Sequence, residues 1–331
     1  MSKANTMIKV GIIGGSGYTA GELLRLLVHH PNTQIDFVFS TTNAGKPLEV
    51  AHPDLIGDTN ILFTDTVNPD VDMLFLCLGH GRSRAFLEAN TFSDATKVID
   101  LGNDFRLLAD KEFQGRDFVY GLPELQIEDI KKAKNVANPG CFATAIQLAL
   151  LPIANAGLVS EAVHINATTG STGAGVSPSA TTHFSWRDNN FSSYKVFTHQ
   201  HLGEIHQSVK QLQSLHDAPI FFIPNRGNFS KGIYATLYTK FDGSLEEAKK
   251  LYNDYYASAE FTVVSDTPIS LKQVVNTNKC ILHVDVKDGM LLVTSVIDNL
   301  IKGASGQAIH NMNLMFGLDQ KTGLGLKSSG F

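Results

Sequence analysis

Met7-Ile8-Lys9-Val10-Gly11-Ile12-Ile13, running into Gly14-Gly15-Ser16-Gly17-Tyr18-Thr19-Ala20-Gly21 and then Glu22-Leu23-Leu24-Arg25-Leu26-Leu27, decides the fold. The first run is short and β-prone, the second is a glycine turn, and the leucines of the third recur at helical spacing. A strand that feeds a helix through glycines lets the backbone approach a pyrophosphate and aims helix N–H groups at it. Glycines also make plain tight turns. Here the flanking strand and helix are both present, which favours a dinucleotide site built from Gly14, Ser16, Gly17, Tyr18 and Thr19.

The pattern repeats downstream. Gln34 to Phe39 reads as a second strand and ends in Ser40-Thr41-Thr42, with Lys46 close by, instead of the acidic residue that would hold a ribose 2′-hydroxyl. Hydroxyls and a lysine can accept a 2′-phosphate, so Ser40 joins the expected cofactor set and NADP(H) is favoured over NAD. Val71 to Leu78 is followed by Gly79-His80-Gly81-Arg82-Ser83, and Lys97 to Leu101 by Gly102-Asn103-Asp104-Phe105-Arg106. Strands alternating with helices at this spacing argue for a parallel sheet whose ligand loops lie at the strands' C-terminal ends. Arg82, Ser83 and Arg106 fall on those loops and are expected to clamp a phosphate or oxyanion, though each could serve equally as a surface charge or a cap.

Asn138-Pro139-Gly140-Cys141-Phe142-Ala143-Thr144-Ala145 supplies either a nucleophile or a small buried side chain at the start of a core helix. Pro139 and Gly140 stop the preceding segment, and good helix formers follow Cys141, which places the thiol at a helix N-terminus. The helix dipole and unpaired N–H groups there favour a thiolate. Cys77 and Cys280 lie in apolar strand-like runs and read as packing.

From about residue 157 to 302 the pattern changes to long alternating runs such as Gly232 to Tyr238 and Met290 to Val296, expected to form a mostly antiparallel sheet. Gly170-Ser171-Thr172-Gly173-Ala174-Gly175 is a loop that can pass close to a flat ring, which adds Ser171 and Gly173 to the cofactor set, or a surface turn. His199-Gln200-His201-Leu202-Gly203-Glu204 lacks the i, i+4 pair of zinc helices, so no metal is expected. It is read instead as holding an acid/base histidine for Cys141, ahead of a helix from Glu204 to Leu215. Ser305 reads as the N-cap of a last helix, one that can return to the nucleotide domain.

Composition sets limits. The chain has 331 residues, 43% of them hydrophobic and 18% charged, and a net charge of −5. That is ordinary for a soluble globular chain long enough for two domains. It makes nucleic acid and anionic membranes unexpected partners. Three widely spaced cysteines and a short polar start, read as no signal peptide, lead to the expectation of a cytoplasmic protein.

Together these segments resemble the N-acetyl-gamma-glutamyl-phosphate reductase family of arginine biosynthesis, relatives of the aspartate-semialdehyde dehydrogenases. The resemblance rests on Gly14 to Leu27, Ala44-Gly45-Lys46, Ile99-Asp100-Leu101 with Asp104 to Leu107, and Tyr120 to Glu124. It continues through Asn138 to Ala145, His199 to Ile205, and Asp298 to Asn313. It implies a Rossmann-type parallel-sheet domain (1–142 and 305–331) plus an α+β domain with a mostly antiparallel sheet (143–304), as in glyceraldehyde-phosphate dehydrogenases. It implies Cys141 as nucleophile, His199 or His201 as acid/base, Gln307 toward the cofactor, and Arg106 and Asn138 toward the substrate. The implied substrate is a small acyl phosphate, N-acyl-gamma-glutamyl phosphate, reduced to its semialdehyde through a thioester; the acyl group, acetyl or succinyl, is left open. The implied assembly is a homodimer or homotetramer. Departures from the family stand out in three places: Gln200 and Gly203 where an Arg and a Pro are usual, Lys231 where an Arg is expected before Gly232, which keeps charge but loses the bidentate fork, and Thr41-Thr42 after Ser40 where Ser-Arg is often found.

Overall fold

The computed structural model describes residues 7–330 and divides the chain into two compact units. One runs up to Pro139 and takes in Ala304–Gly325; the other is Gly140–Gly303 with residues from Leu326 onward. On this division Cys141 and Phe142 go with the second unit, because the chain changes unit in the Pro139-Gly140 turn.

The first unit is a sheet of eight strands: β1 (Ile8–Ile13), β2 (Thr33–Phe39), β3 (Phe63–Thr64), β4 (Met73–Leu76), β5 (Lys97–Asp100), β6 (Glu112–Phe113), β7 (Arg116–Tyr120) and β8 (Asn135–Ala137). Their order is β3-β2-β1-β4-β5-β8-β7-β6, parallel except for the edge strand β6. The order 3-2-1-4-5 is that of doubly wound nucleotide-binding sheets, with its reversal beside β1. The central strands are buried on both faces and read as unbroken apolar runs, as in Met73-Leu74-Phe75-Leu76. Helices α1 (Tyr18–Leu27), α2 (Ser83–Ala89) and α3 (Pro123–Lys132) connect the strands. Phe105 and Phe118 stack at 4.0 Å in the core below the loops.

The second unit opens with α4 (Cys141–Asn155), whose residues from Phe142 to Ala154 are all buried. A helix apolar all round belongs inside a core. Neighbouring side chains bond to its middle turns: Tyr252 Oη donates to the Ala149 carbonyl at 2.6 Å, Tyr256 Oη to that of Leu148, and Ser208 Oγ to Gln147 Oε1 at 3.0 Å. The sheet comprises β9 (Val163–Thr169), β10 (Ser192–Ser193), β11 (Ile220–Arg226), β12 (Ile233–Lys240), β13 (Thr262–Ser265), β14 (Cys280–Lys287) and β15 (Met290–Ile297). Its order is β10-β11-β9-β12-β15-β14-β13, with only β11/β9 and β14/β13 parallel. Strict alternation, as in the buried/exposed pattern of β12, buries one face and leaves the other open. Helices α5 (Phe184–Arg187), α6 (His201–Leu212) and α7 (Leu245–Tyr255) complete it. Thus α6 starts at His201, three residues before the expected position. A π-helical turn, Ile301–Ser305, leads into α8 (Gly306–Met315) of the first unit. Ser305 has helical φ and ψ and donates its hydroxyl to the Thr19 carbonyl at 2.7 Å, so it ties α8 to α1 and does not cap. Among the described residues no helix is long and apolar enough to cross a membrane.

Candidate active site

The glycine turn has the geometry its sequence called for. Gly14 sits at φ +79°, and a Cβ there would lie 2.6 Å from the Cys77 carbonyl oxygen, so only glycine fits. Gly17 is the N-cap of α1, with Tyr18 and Thr19 opening the helix and Ser16 half-exposed in the turn. Ser40 follows the adjacent strand β2, its hydroxyl 3.3 Å from that of Thr42, and Lys46 is exposed. Gln307 on α8 is fully buried, and neither end of its amide has a hydrogen-bond partner. Orphaned buried amides call for a polar group that completes them. With the glycine turn, the helix N-terminus and the hydroxyl pair, it suits a dinucleotide with a 2′-phosphate.

Around β5 the residues expected to grip substrate are occupied within the fold. Ser83 is fully buried and donates to Asp100 Oδ1 at 2.6 Å, which also accepts the Gly102 N–H at 2.9 Å. Burial, partly opposed by these hydrogen bonds and by Arg106, pushes the Asp100 carboxyl up to about 6. Arg106 is buried, donating Nε to the Asn138 carbonyl at 2.8 Å and Nη2 to that of Leu101 at 3.1 Å. Asn138 is 1% exposed. Its N–H donates to the Asp100 carbonyl, its Nδ2 to the Ala304 carbonyl at 3.0 Å, and its Oδ1 accepts from Asn311 Nδ2 at 3.1 Å. Ser83 and Asn138 are thus both buried and hydrogen-bonded within the first unit, on either side of the Asp100 strand end that leads to the Pro139-Gly140 turn. Arg82 is exposed just before α2.

Cys77, beside Gly14, is inert for a stated reason: burial above all, with the charge of Asp100, pushes its thiol up to about 12. Cys280 is fully buried in β14, its sulfur 3.6 Å from Ser295 Oγ.

In the second unit Cys141 is the first residue of α4, half-buried, behind the N-cap Gly140. The residues on either side of it each meet a histidine. A Cβ on Gly140 would collide with the imidazole of His201, and the Phe142 ring lies edge-on to that of His199, centroids 5.5 Å apart. The two imidazoles are themselves 4.5 Å apart and both residues are buried. The His201 N–H donates to His199 Nδ1 at 3.2 Å, so neutral His199 carries its proton on Nε2. Glu204 Oε2 accepts the Gly140 N–H at 2.9 Å, and its Oε1 lies 3.9 Å from His201 Nε2. One carboxylate thus anchors the turn before the sulfur and faces the second histidine.

Four further residues of this site escaped the sequence reading. Tyr194 stands edge-on to His199 at 5.8 Å. Burial, then the charge of Cys141, pushes its phenol up to about 12. The Arg226 guanidinium lies 4.8 Å over the Tyr194 ring, and its buried Nε has no hydrogen-bond partner. Gly303 leaves room for the nucleophile: a Cβ there would sit 2.9 Å from Cys141 Cβ. Asn299 links the loop after β9 to the strand start of β12, its Nδ2 donating to Thr172 Oγ1 and its Oδ1 accepting the Gly232 N–H. Ser171 and Gly173 lie in that loop, a 3-10 turn of the second unit held by the Phe229 and Gly170 carbonyls. Asn299 and Gly303 lie in the Asp298 to Asn313 segment that carried the resemblance, and Arg226 ends an apolar strand, Ile220–Arg226, whereas Tyr194 offered no signal in the sequence. Among the described residues no group of three or more His, Cys, Asp or Glu is placed to hold a metal ion.

Residues 9–133 match the family model described as semialdehyde dehydrogenase, NAD binding domain, and residues 141–299 the one described as semialdehyde dehydrogenase, dimerisation domain. The chain is similar to the N-acetyl-gamma-glutamyl-phosphate reductases of Flavobacterium johnsoniae, 63% identical, and Christiangramia forsetii, 61% identical. Each match covers 98% of this chain and 100% of the relative. Among solved structures it resembles aspartate semialdehyde dehydrogenase II of Vibrio cholerae, with a TM-score of 0.72 at 15% identity over 94% of this chain and 99% of the other. The aspartate semialdehyde dehydrogenase of Candida albicans, solved with NADP, gives 0.69 at 15% over the same shares. At that identity the likeness shows the fold: a nucleotide-binding parallel sheet joined to a largely antiparallel one. With relatives this close along its whole length, the chain belongs to the N-acetyl-gamma-glutamyl-phosphate reductase family of the semialdehyde dehydrogenases.

Proposed function

We propose that this chain reduces N-acetyl-gamma-glutamyl phosphate to N-acetylglutamate 5-semialdehyde, releasing phosphate, with NADPH as reductant, as a step of arginine biosynthesis. The observation that carries the reading is Cys141 at the first position of α4 with a histidine packed against the residue on each side.

In the first unit Gly14, Ser16, Gly17, Tyr18 and Thr19 would hold the dinucleotide's pyrophosphate, Ser40 and Lys46 its 2′-phosphate and Gln307 its nicotinamide end; Ser171 and Gly173 are the cofactor candidates of the second unit. Bound there, NADPH supplies the hydride. The chemistry of the chain itself starts at Cys141. Its thiolate, favoured by the helix N-terminus, attacks the γ-carbonyl carbon; the bond from that carbon to the phosphate oxygen then breaks, phosphate leaves with the electron pair, and a thioester remains. N–H groups of the first turn of α4 are placed to stabilise the oxyanion at this stage and again in the thiohemiacetal formed by reduction. When the carbonyl re-forms, the carbon–sulfur bond breaks and the sulfur regains its negative charge.

His199 is the acid/base residue in this reading. With Nδ1 held by the His201 N–H, its Nε2–H steadies the thiolate and relays to the departing phosphate one proton taken up from solvent, so that the imidazole ends the step neutral. His201, facing Glu204, braces the Gly140 turn. Arg226 is the cation offered to the substrate's carboxylate, a role its unpaired Nε supports. Arg106 and Arg82 are the first unit's cations read as lending positive charge to the phosphate. The open sheet face carries Phe221, Tyr234, Tyr238 and Leu292, each 36–46% exposed, and is read as the surface of a homodimer or homotetramer. Three free cysteines agree with the reducing cytoplasm.

The test is the reverse reaction: phosphate-dependent NADP reduction with N-acetyl- and N-succinyl-glutamate semialdehyde side by side. Turnover with the acetyl compound that disappears in Cys141→Ser and His199→Gln, while His201→Gln keeps the parent pH profile at reduced rate, is the expected result. A preference for the succinyl compound would move the substrate, and full activity in Cys141→Ser would end the reading.

A further inference from the structure

His52 lies in the connection between β2 and β3, in a 3-10 region that no part of the reaction above uses. It is 5% exposed, and its Nε2 is 2.6 Å from the Gly15 carbonyl oxygen. A carbonyl only accepts, so Nε2 carries the proton and donates. The other edge of the ring lies under α1: a Cβ on Gly21 would sit 2.6 Å from Nδ1 and 2.9 Å from Cε1. The glycine at that position is thus required by the imidazole itself. On the far side the ring packs at 6.3 Å from Phe63 of β3, and the His52 N–H donates to the Leu48 carbonyl. The imidazole is wedged between the glycine turn, the first helix and Phe63 of β3.

We propose that His52 is a positioning residue for the dinucleotide, acting through the Gly15–Ser16 peptide. The peptide is trans, so its C=O and N–H point in opposite directions. Pinning the Gly15 carbonyl toward His52 turns the Ser16 N–H outward, where a pyrophosphate oxygen accepts it, and a hydrogen bond to the carbonyl strengthens that N–H as a donor. Because the same ring packs against Phe63 of β3, whose N–H donates to the Lys46 carbonyl and whose neighbour Thr64 accepts the Ser40 N–H, it also fixes the spacing between the pyrophosphate and 2′-phosphate ends of one cofactor. The inference rests on the NADPH reading above and adds to it a residue that touches no ligand atom.

The experiment is a fluorescence titration of NADPH into the free protein, with steady-state kinetics alongside, for the parent, His52→Phe, His52→Gln and Gly21→Ala. His52→Phe fills the site and removes the donor; NADPH Kd and KM rise about tenfold, the worth of one good hydrogen bond, while kcat at saturating NADPH stays within twofold. His52→Gln keeps an N–H near the Nε2 position and restores Kd to within about threefold of the parent. Gly21→Ala displaces the ring without deleting it and reproduces the His52→Phe signature, so it decides the matter if His52→Phe does not fold. Unchanged Kd in both variants overturns the proposal, as does a His52→Gln as weak as His52→Phe, which would reduce the ring to packing. A parent that fails to bind NADPH would instead overturn the cofactor reading.

Discussion

Replacing Asn138 separates a support from a ligand. Asn138→Ala deletes two side-chain hydrogen bonds, the donation to the Ala304 carbonyl and the acceptance from Asn311, at a site 1% exposed to water. Each bond is worth about 1 kcal/mol net, and the buried carbonyl and amide left behind add a desolvation penalty, so the loss is about 2–4 kcal/mol. For a domain of this size that lowers the melting temperature by roughly 5–15 °C. The turn that Asn138 anchors leads within three residues to Cys141, and a shift of the order of 1 Å at a nucleophile can cost about 10²-fold in rate. The assay is differential scanning calorimetry with and without NADPH, paired with kcat and KM for the acyl phosphate. The expected pattern is an early melting transition and a fall in kcat with little change in KM. Unchanged melting with KM raised tenfold or more would refute this reasoning and return Asn138 to the substrate site.

Alkylation should discriminate among the thiols. At pH 7.5 iodoacetamide is expected to label Cys141 first, with Cys280 protected by burial and Cys77 by a thiol pushed up to about 12; mass mapping that finds Cys77 labelled at an equal rate contradicts the account. Asp100 predicts a pH effect on stability. Burial raises its carboxyl to about 6, against about 4 for an exposed aspartate, so between those values the folded chain keeps a proton the unfolded chain has lost. Its contribution to stability therefore falls as pH rises through that window. Asp100→Asn removes the effect and should gain on the parent by on the order of 3 kcal/mol between pH 4 and pH 7.5 in urea melts. Parallel pH curves for the two would contradict it.

What the sequence made legible was local chemistry. The glycine turn at Gly14 to Gly17 and the Pro139-Gly140-Cys141 helix start depend on residues adjacent in the chain, and both formed as their composition dictates. The pairing of the His199 cluster with the α4 turn was inferable from chemical need alone, because a thiolate requires a proton partner. Side chains whose partners lie far along the chain were misread or missed. The internal partners of Ser83 and Asn138 went unseen, because Asp100, Ala304 and Asn311 are 17 to 173 positions away. His52 and Tyr194 carry no local pattern at all, and only folding sets them against Gly15 and His199, as it sets Gly303 against Cys141. Ser305 was misread because a serine before a helix usually caps it, whereas here its hydroxyl is spent on Thr19.

The most direct measurement mixes the protein with N-acetyl-gamma-glutamyl phosphate in the absence of NADPH, then maps the quenched protein by mass spectrometry. One equivalent of phosphate released in a burst, with an acyl group on the peptide containing Cys141, is the predicted result. Burst release that persists in Cys141→Ser, or an acyl group found on any other residue, would contradict it.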